Sequence, residues 1–144
     1  MADFFLDTNI FLYAISTEPA EAAKTSIARR LLQHSGWAWS AQVAAEFART
    51  STSKKQTRPL TWHEAGQWIQ VWTAFPMAHS DGALVLSALQ IAERFMISYY
   101  DAQIVAAARR LQLPVVYTED LNHGQDYGGT LAINPFKPDV VLPV

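Results

Sequence analysis

Short apolar runs alternate along this chain with longer segments in which apolar residues recur every three or four positions. The runs at residues 4–6, 37–40 and 114–117 have the length of buried strands. The segments that open at Thr61 and Ser98 have the period of amphipathic helices. Strands that alternate with helices predict an α/β fold with a mainly parallel central sheet and helices on both of its faces.

The boundaries of the other elements follow from capping and turn residues. Asn9 is a candidate N-cap for a first helix, and Pro19 suits the start of the second. A third helix is predicted at residues 42–50, and short strands at residues 75–79 and 130–133. Asp81 and Ser98 are candidate N-caps for the two helices between these strands.

Length and composition restrict the class of protein. With 144 residues, half of them hydrophobic, the chain is expected to form one domain over residues 1–144. It has no cysteine, which excludes disulfides and thiolate metal sites. No apolar run approaches the roughly 18 residues of a membrane span, and the start of the chain does not resemble a signal peptide, so a cytoplasmic location is expected. The net charge of −2 means that any nucleic-acid binding must come from a local basic patch.

Four acidic residues border the predicted strands and helices, at positions that should converge on one edge of the sheet. Asp7 follows the first strand, Glu46 lies in the third helix, Asp101 opens the last helix, and Asp120 follows the strand at 114–117. Taken singly, Asp7 could be a helix cap, Asp101 a partner of the helix dipole and Asp120 a solvated loop acid. Together they would repel each other unless a cation joined them, and oxygen ligands favour Mg²⁺ or Mn²⁺.

Segments around these acids resemble PIN-domain ribonucleases. The matching segments are residues 7–9 (Asp-Thr-Asn), 40–47, 100–108 and 118–124, in the order of the family, and the Asn-Pro-Phe at 134–136 is similar to the ending of VapC-type toxins of type II toxin–antitoxin modules. The resemblance implies a PIN-like domain whose catalytic and metal-binding acids are Asp7, Glu46, Asp101 and Asp120, supported by Thr8 and Thr118.

The function that this resemblance implies is a Mg²⁺- or Mn²⁺-dependent endoribonuclease that hydrolyses RNA phosphodiesters with a metal-activated water. On this interpretation Asp7 and Asp101 hold the first ion, and Glu46 and Asp120 complete a second site or orient water. The implied partners are RNA, a cognate antitoxin whose C-terminal segment covers the acidic cleft, and a second copy of the chain in a homodimer.

Basic residues near Glu46 are the candidates for RNA contact. Arg49 lies three residues after Glu46, and Lys54, Lys55 and Arg58 belong to the polar loop that follows. A solvated surface is the alternative interpretation of these four cations.

Three other classes of protein also place acids at strand ends. A phospho-receiver-like signalling module needs two adjacent acids after its first strand, whereas Asp7 is followed by Thr8 and Asn9. A haloacid-dehalogenase-type phosphatase needs an aspartate two positions after the nucleophilic one, where this chain has Asn9. A catalytically inactive PIN scaffold would not need all four acids, so their presence argues against it. A test of activity distinguishes these alternatives.

Overall fold

Strands and helices alternate along the whole chain. The computed structural model describes residues 1–144. The strands are β1 (Phe4–Leu6), β2 (Trp37–Ser40), β3 (Met77–Ala78), β4 (Val115–Tyr117) and β5 (Leu131–Ile133). The helices are α1 (Thr8–Ile15), α2 (Ala22–Gln33), α3 (Ala41–Ser51), α4 (Trp62–Trp72), α5 (Gly82–Phe95) and α6 (Tyr99–Arg110), and a 3-10 turn at Pro19–Glu21 leads into α2. No helix combines the length and the apolar character needed to span a bilayer.

The five strands form one sheet in the order β3-β2-β1-β4-β5, and every neighbouring pair is parallel. This confirms the predicted α/β fold with a mainly parallel sheet. From β1 the chain moves outward to β2 and β3, then crosses to the other side for β4 and β5. The order therefore reverses between β1 and β4. In open α/β sheets, ligands bind beyond the carboxyl ends of the strands at such a reversal.

A cluster of aromatic side chains fixes α1 against the sheet. The Phe11 ring on α1 lies 5.1 Å from Trp39 and 5.5 Å from Trp37, both on β2, and 4.8 Å from Trp72 on α4. All four side chains are buried. Rings of this size dominate the apolar area of a small core. The start of α1, which follows β1 directly, is therefore held rigidly at the carboxyl edge of the sheet.

Two predicted boundaries are wrong. The N-cap of α1 is Asp7, because its carboxylate accepts a hydrogen bond from the Thr8 N–H, and Asn9 lies inside the helix instead. The strand predicted at 75–79 is reduced to β3, because its partner β2 ends where α3 begins. The predicted caps Asp81 and Ser98 are confirmed, since each side chain accepts a hydrogen bond from an N–H in the first turn of its helix.

Candidate active site

Asp7 is a buried carboxylate at the centre of the carboxyl edge. It lies where β1 passes into α1, and its backbone N–H donates to the Tyr117 carbonyl of β4 at 3.1 Å. Its two oxygens accept hydrogen bonds from the Thr8 N–H at 2.6 Å and the Thr118 hydroxyl at 2.7 Å. Burial, reinforced by the negative charges of Asp120 and Glu46, outweighs these bonds and raises the pKa of Asp7 to about 7.

Glu46 reaches the same edge from α3. Its carboxylate accepts a hydrogen bond from the Thr8 hydroxyl at 3.0 Å and another from the Gln42 amide, one turn earlier in α3, at 2.7 Å. Thr8 therefore contacts both acids, Asp7 through its N–H and Glu46 through its hydroxyl. This bridge places the carboxylate that sequence analysis put in mid-helix beside the one that follows β1.

Asp120 and Asp101 complete the group on the β4 side. The Asn9 amide donates to Asp120 at 3.2 Å, and the Asp120 N–H donates to the Thr118 hydroxyl at 3.1 Å. Desolvation raises the pKa of Asp120, and the negative charges of Asp101 and Glu46 raise it further. Asp101 stands in the first turn of α6, directly after the Ser98 cap. Asp7 thus lies within electrostatic range of Asp120 and Glu46, and Asp120 within range of Asp101 and Glu46. These four acids are hereafter called the acidic site.

The acidic site does not form a closed cage for a bare ion. No three aspartate, glutamate or histidine side chains lie close enough together to grip a metal directly. The donors are all oxygens, and burial, followed by the charges of neighbouring carboxylates, raises the pKa values of Asp7 and Asp120. Mg²⁺ keeps several of its waters and binds through one or two carboxylates, so this open arrangement fits a hydrated divalent cation.

Several side chains of the site carry no acidic signal in the sequence, and sequence analysis missed their roles. Asn9 donates a hydrogen bond to Asp120, and Gln42 donates one to Glu46. Beside the site, Glu119 accepts hydrogen bonds from the Tyr13 hydroxyl and from Lys24, the latter at 2.9 Å. Lys24 lies 95 positions before Glu119, a distance at which no spacing pattern indicates a contact. Only Asn9 could have been found from the sequence, because it stands two positions after the aspartate that ends the first strand.

The four cations proposed for RNA contact are all exposed. Arg49 is in the last turn of α3, and Lys54, Lys55 and Arg58 are exposed in the loop between α3 and α4. None of them belongs to either of the two ion pairs of the molecule, which are Lys24–Glu119 and Arg110–Asp81. Arg58 also lines a cavity of about 510 Å³ that Asn9 and Glu119 share.

Comparison with protein families gives one match over most of the chain. A model described as PIN domain matches residues 4–125, a span that includes Asp7, Glu46, Asp101 and Asp120. The match ends before β5, so the extent of the domain over residues 1–144 stays a prediction. No curated protein sequence matches this chain.

Solved structures with a similar fold include chains of toxin–antitoxin systems. A toxin–antitoxin complex from Klebsiella pneumoniae is 18% identical, with 94% of this chain and 98% of that chain covered and a TM-score of 0.67. VapC20 of Mycobacterium tuberculosis, a toxin that cleaves the sarcin–ricin loop, is 19% identical over 82% and 90%, with a TM-score of 0.62. DNA-bound VapBC from Salmonella typhimurium is 21% identical over 92% and 97%, with a TM-score of 0.63. At these identities the likeness is one of fold.

Proposed function

Because this chain belongs to the PIN domain family, we propose that it is a Mg²⁺- or Mn²⁺-dependent endoribonuclease and the toxin of a toxin–antitoxin pair. The observation that carries the proposal is the acidic site itself. A buried carboxylate with a pKa near 7, next to further acids at the point where the strand order reverses, is costly to maintain in a protein that does not use it.

Asp7 and Asp101 would hold the cation, with Glu46 and Asp120 completing a second position or orienting the attacking water. When bound, a divalent cation supplies charge neutralisation at the phosphate and acidifies water. The remaining task of the protein is positioning. Thr8 and Thr118 hold the carboxylates of Glu46 and Asp7 in fixed orientations, and Asn9 does the same for Asp120. Groups fixed in advance cost no reorganisation during the reaction.

RNA would approach from the side of Arg49, Lys54, Lys55 and Arg58. Their charges have no carboxylate partner in the protein, so they are available to phosphates. These side chains would hold the phosphates that flank the cleaved bond, while the scissile phosphate lies at the acidic site. This local patch explains how a chain of net charge −2 can bind a polyanion.

The proposed protein partners are an antitoxin and a second copy of the chain. The similar folds in the Klebsiella and Salmonella structures come from complexes with antitoxins, which supports an antitoxin here. Support for a homodimer comes from α5, where Val85, Leu86 and Leu89 are 39%, 63% and 50% exposed. Apolar side chains in such a row suit a protein interface. A cytoplasmic location follows from the proposed RNA substrate.

The decisive experiment compares RNA cleavage by the wild type and Asp101→Asn, with Mn²⁺, Mg²⁺ or EDTA. We expect cleavage by the wild type with either metal, none in EDTA, and a loss of at least about 100-fold in Asp101→Asn. Asp139→Asn is the matched control, since Asp139 is exposed near the end of the chain and should leave the rate unchanged. Equal rates for wild type and Asp101→Asn would refute the active site and favour an inactive scaffold.

A further inference from the structure

A cavity lies beside the acidic site. It has a volume of about 510 Å³ and lies between α1, the 3-10 turn and the loop that joins α3 to α4. Small-molecule sites commonly have volumes of this order. Its wall shares two residues with the surroundings of Asp120, namely Asn9, which donates to it, and Glu119, which precedes it in the chain. Whatever fills this cavity therefore lies next to the proposed point of cleavage.

The charge of the wall excludes a phosphate from the cavity. Four glutamates and a single arginine line it (Glu18, Glu21, Glu64, Glu119 and Arg58), and their four negative charges and one positive charge sum to a formal charge of −3. A backbone phosphate would be repelled by such a wall. The uncharged part of a nucleotide, its base, is not repelled, and exocyclic amino and ring N–H groups are attracted to carboxylates. RNA-binding proteins commonly read unstacked bases along these polar edges.

Glu18 is the carboxylate of the wall that is free to read a base. Glu119 is occupied by Tyr13 and Lys24, Glu64 accepts from the Thr61 N–H in a capping box, and Glu21 accepts from the Ser16 hydroxyl. The side chain of Glu18 makes no cap hydrogen bond to the turn that follows it and belongs to neither ion pair.

The wall also contains buried polar atoms that no group of the protein satisfies. The Asn9 carbonyl oxygen and the Ser51 hydroxyl have no hydrogen-bond partner, although both residues line the cavity. Buried polar atoms without partners are costly and need an explanation. Because both atoms are closed to solvent, the free acceptor that the wall itself presents is the carboxylate of Glu18.

We propose that this cavity binds the base of a nucleotide flanking the scissile phosphate, and that it prefers guanine. Guanine carries two adjacent donors, N1–H and the N2 amino group, which match the two oxygens of one carboxylate such as Glu18. Adenine and cytosine present one amino group each, and uracil presents a single ring N–H. The inference rests on the proposed ribonuclease function, for which it names a substrate specificity.

The test is cleavage of a random-sequence single-stranded RNA library with Mn²⁺, followed by sequencing of the product ends. We expect guanine to be enriched about tenfold at one position beside the cut, the scale of discrimination that a bidentate base contact gives. Glu18→Gln keeps the fold and exposes an N–H₂ to the base, so it should abolish the guanine enrichment. Glu93→Gln on the exposed side of α5 is the matched control and should cleave like the wild type.

A second arm replaces the preferred guanosine with inosine, which lacks only the N2 amino group, in a defined oligonucleotide. Cleavage should fall by about tenfold for the wild type and stay unchanged for Glu18→Gln. Cleavage with no guanine enrichment, or with the same enrichment in Glu18→Gln, overturns the base pocket and leaves the ribonuclease proposal standing. If instead Glu18→Gln weakens binding of an arginine-rich peptide and not the base preference, the cavity is a protein-docking site. Absence of metal-dependent cleavage by the wild type refutes the ribonuclease function itself.

Discussion

At the scale of single residues, Asp7 combines two functions that oppose each other energetically. As the N-cap of α1 it stabilises the fold, and as a buried acid beside Asp120 and Glu46 it destabilises the fold whenever it is ionised. Because its pKa is raised from 3.8 to about 7, the folded protein keeps a proton between these values that the unfolded chain has released. Its contribution to stability is thus fully present below pH 4, and is lost as the pH rises to 7.

The variant Asp7→Asn tests this balance. Asparagine also caps helices well, so the cap survives while the charge is removed. At pH 8 without metal, the free energy of unfolding should exceed that of the wild type by up to about 4 kcal/mol, since each pKa unit corresponds to about 1.4 kcal/mol. At pH 4 the two proteins should be nearly equal. Urea denaturation at pH 8 and pH 4 measures the free energy of unfolding of the two proteins. A variant less stable than the wild type at pH 8 would contradict a destabilising buried charge at Asp7.

Asn9 provides a second prediction for one side chain. Its amide lowers the pKa of Asp120, so Asn9→Ala should raise that pKa further and keep Asp120 protonated at higher pH. We expect slower cleavage on the acidic side of the pH–rate profile, with the acidic limb displaced toward alkaline pH. Asn122→Ala is the control, because the Asn122 side chain bonds only Gln125. A uniform loss of rate with an unmoved profile would argue against this electrostatic role.

The residues that sequence analysis could and could not identify differ in how their positions are encoded. Asp7, Asp101 and Asp120 stand at ends of strands or starts of helices, so local patterns alone indicate that they converge. The contacts of Asn9 with Asp120 and of Lys24 with Glu119 span 111 and 95 positions. Such pairs depend on how β4 lies beside β1, which no local period encodes. These two contacts could therefore be identified only from the three-dimensional structure.

At the scale of elements, α6 is the helix whose start matters most for the acidic site. Ser98 accepts a hydrogen bond from the Asp101 N–H at 3.2 Å, so the cap holds the very residue that is proposed to bind metal. Periodicity and capping residues predicted α4, α5 and α6 well. They failed at β3, because only Met77 and Ala78 of the predicted strand pair with β2, and pairing between strands is not encoded in a local period.

The cap of α6 can be tested by Ser98→Ala with Ser98→Thr as the matched control. Loss of the hydroxyl should lower the free energy of unfolding by about 1 kcal/mol, whereas threonine should retain most of the stabilisation that the cap provides. A frayed first turn should also weaken the binding of Mn²⁺, since Asp101 would lose its fixed position. Thermal melts with and without Mn²⁺ measure both effects. A Ser98→Ala protein with an unchanged melting temperature and metal response would show that α6 begins independently of its cap.

At the scale of the whole molecule, the apolar row on α5 allows the proposed homodimer to be tested. The double variant Leu86→Lys with Leu89→Lys introduces two charges on the exposed face of α5 without touching its buried residues Leu84, Ala88 and Ile91. Analytical ultracentrifugation should give twice the 16.1 kDa chain mass for the wild type and the single mass for the variant. Trp62→Lys, at the 87% exposed start of α4, is the control that should stay dimeric. A monomeric wild type would contradict the homodimer.

The position of β4 beside β1 has a consequence for the biosynthesis of the protein. Asp7 follows β1 near the beginning of the chain, yet Thr118 and Asp120 follow β4, more than 100 residues later. A nascent polypeptide that has not yet emerged from the ribosome as far as β4 cannot assemble the catalytic centre. The proposed ribonuclease would therefore be inactive until β4 has been synthesised, and interrupted synthesis would release only inactive fragments.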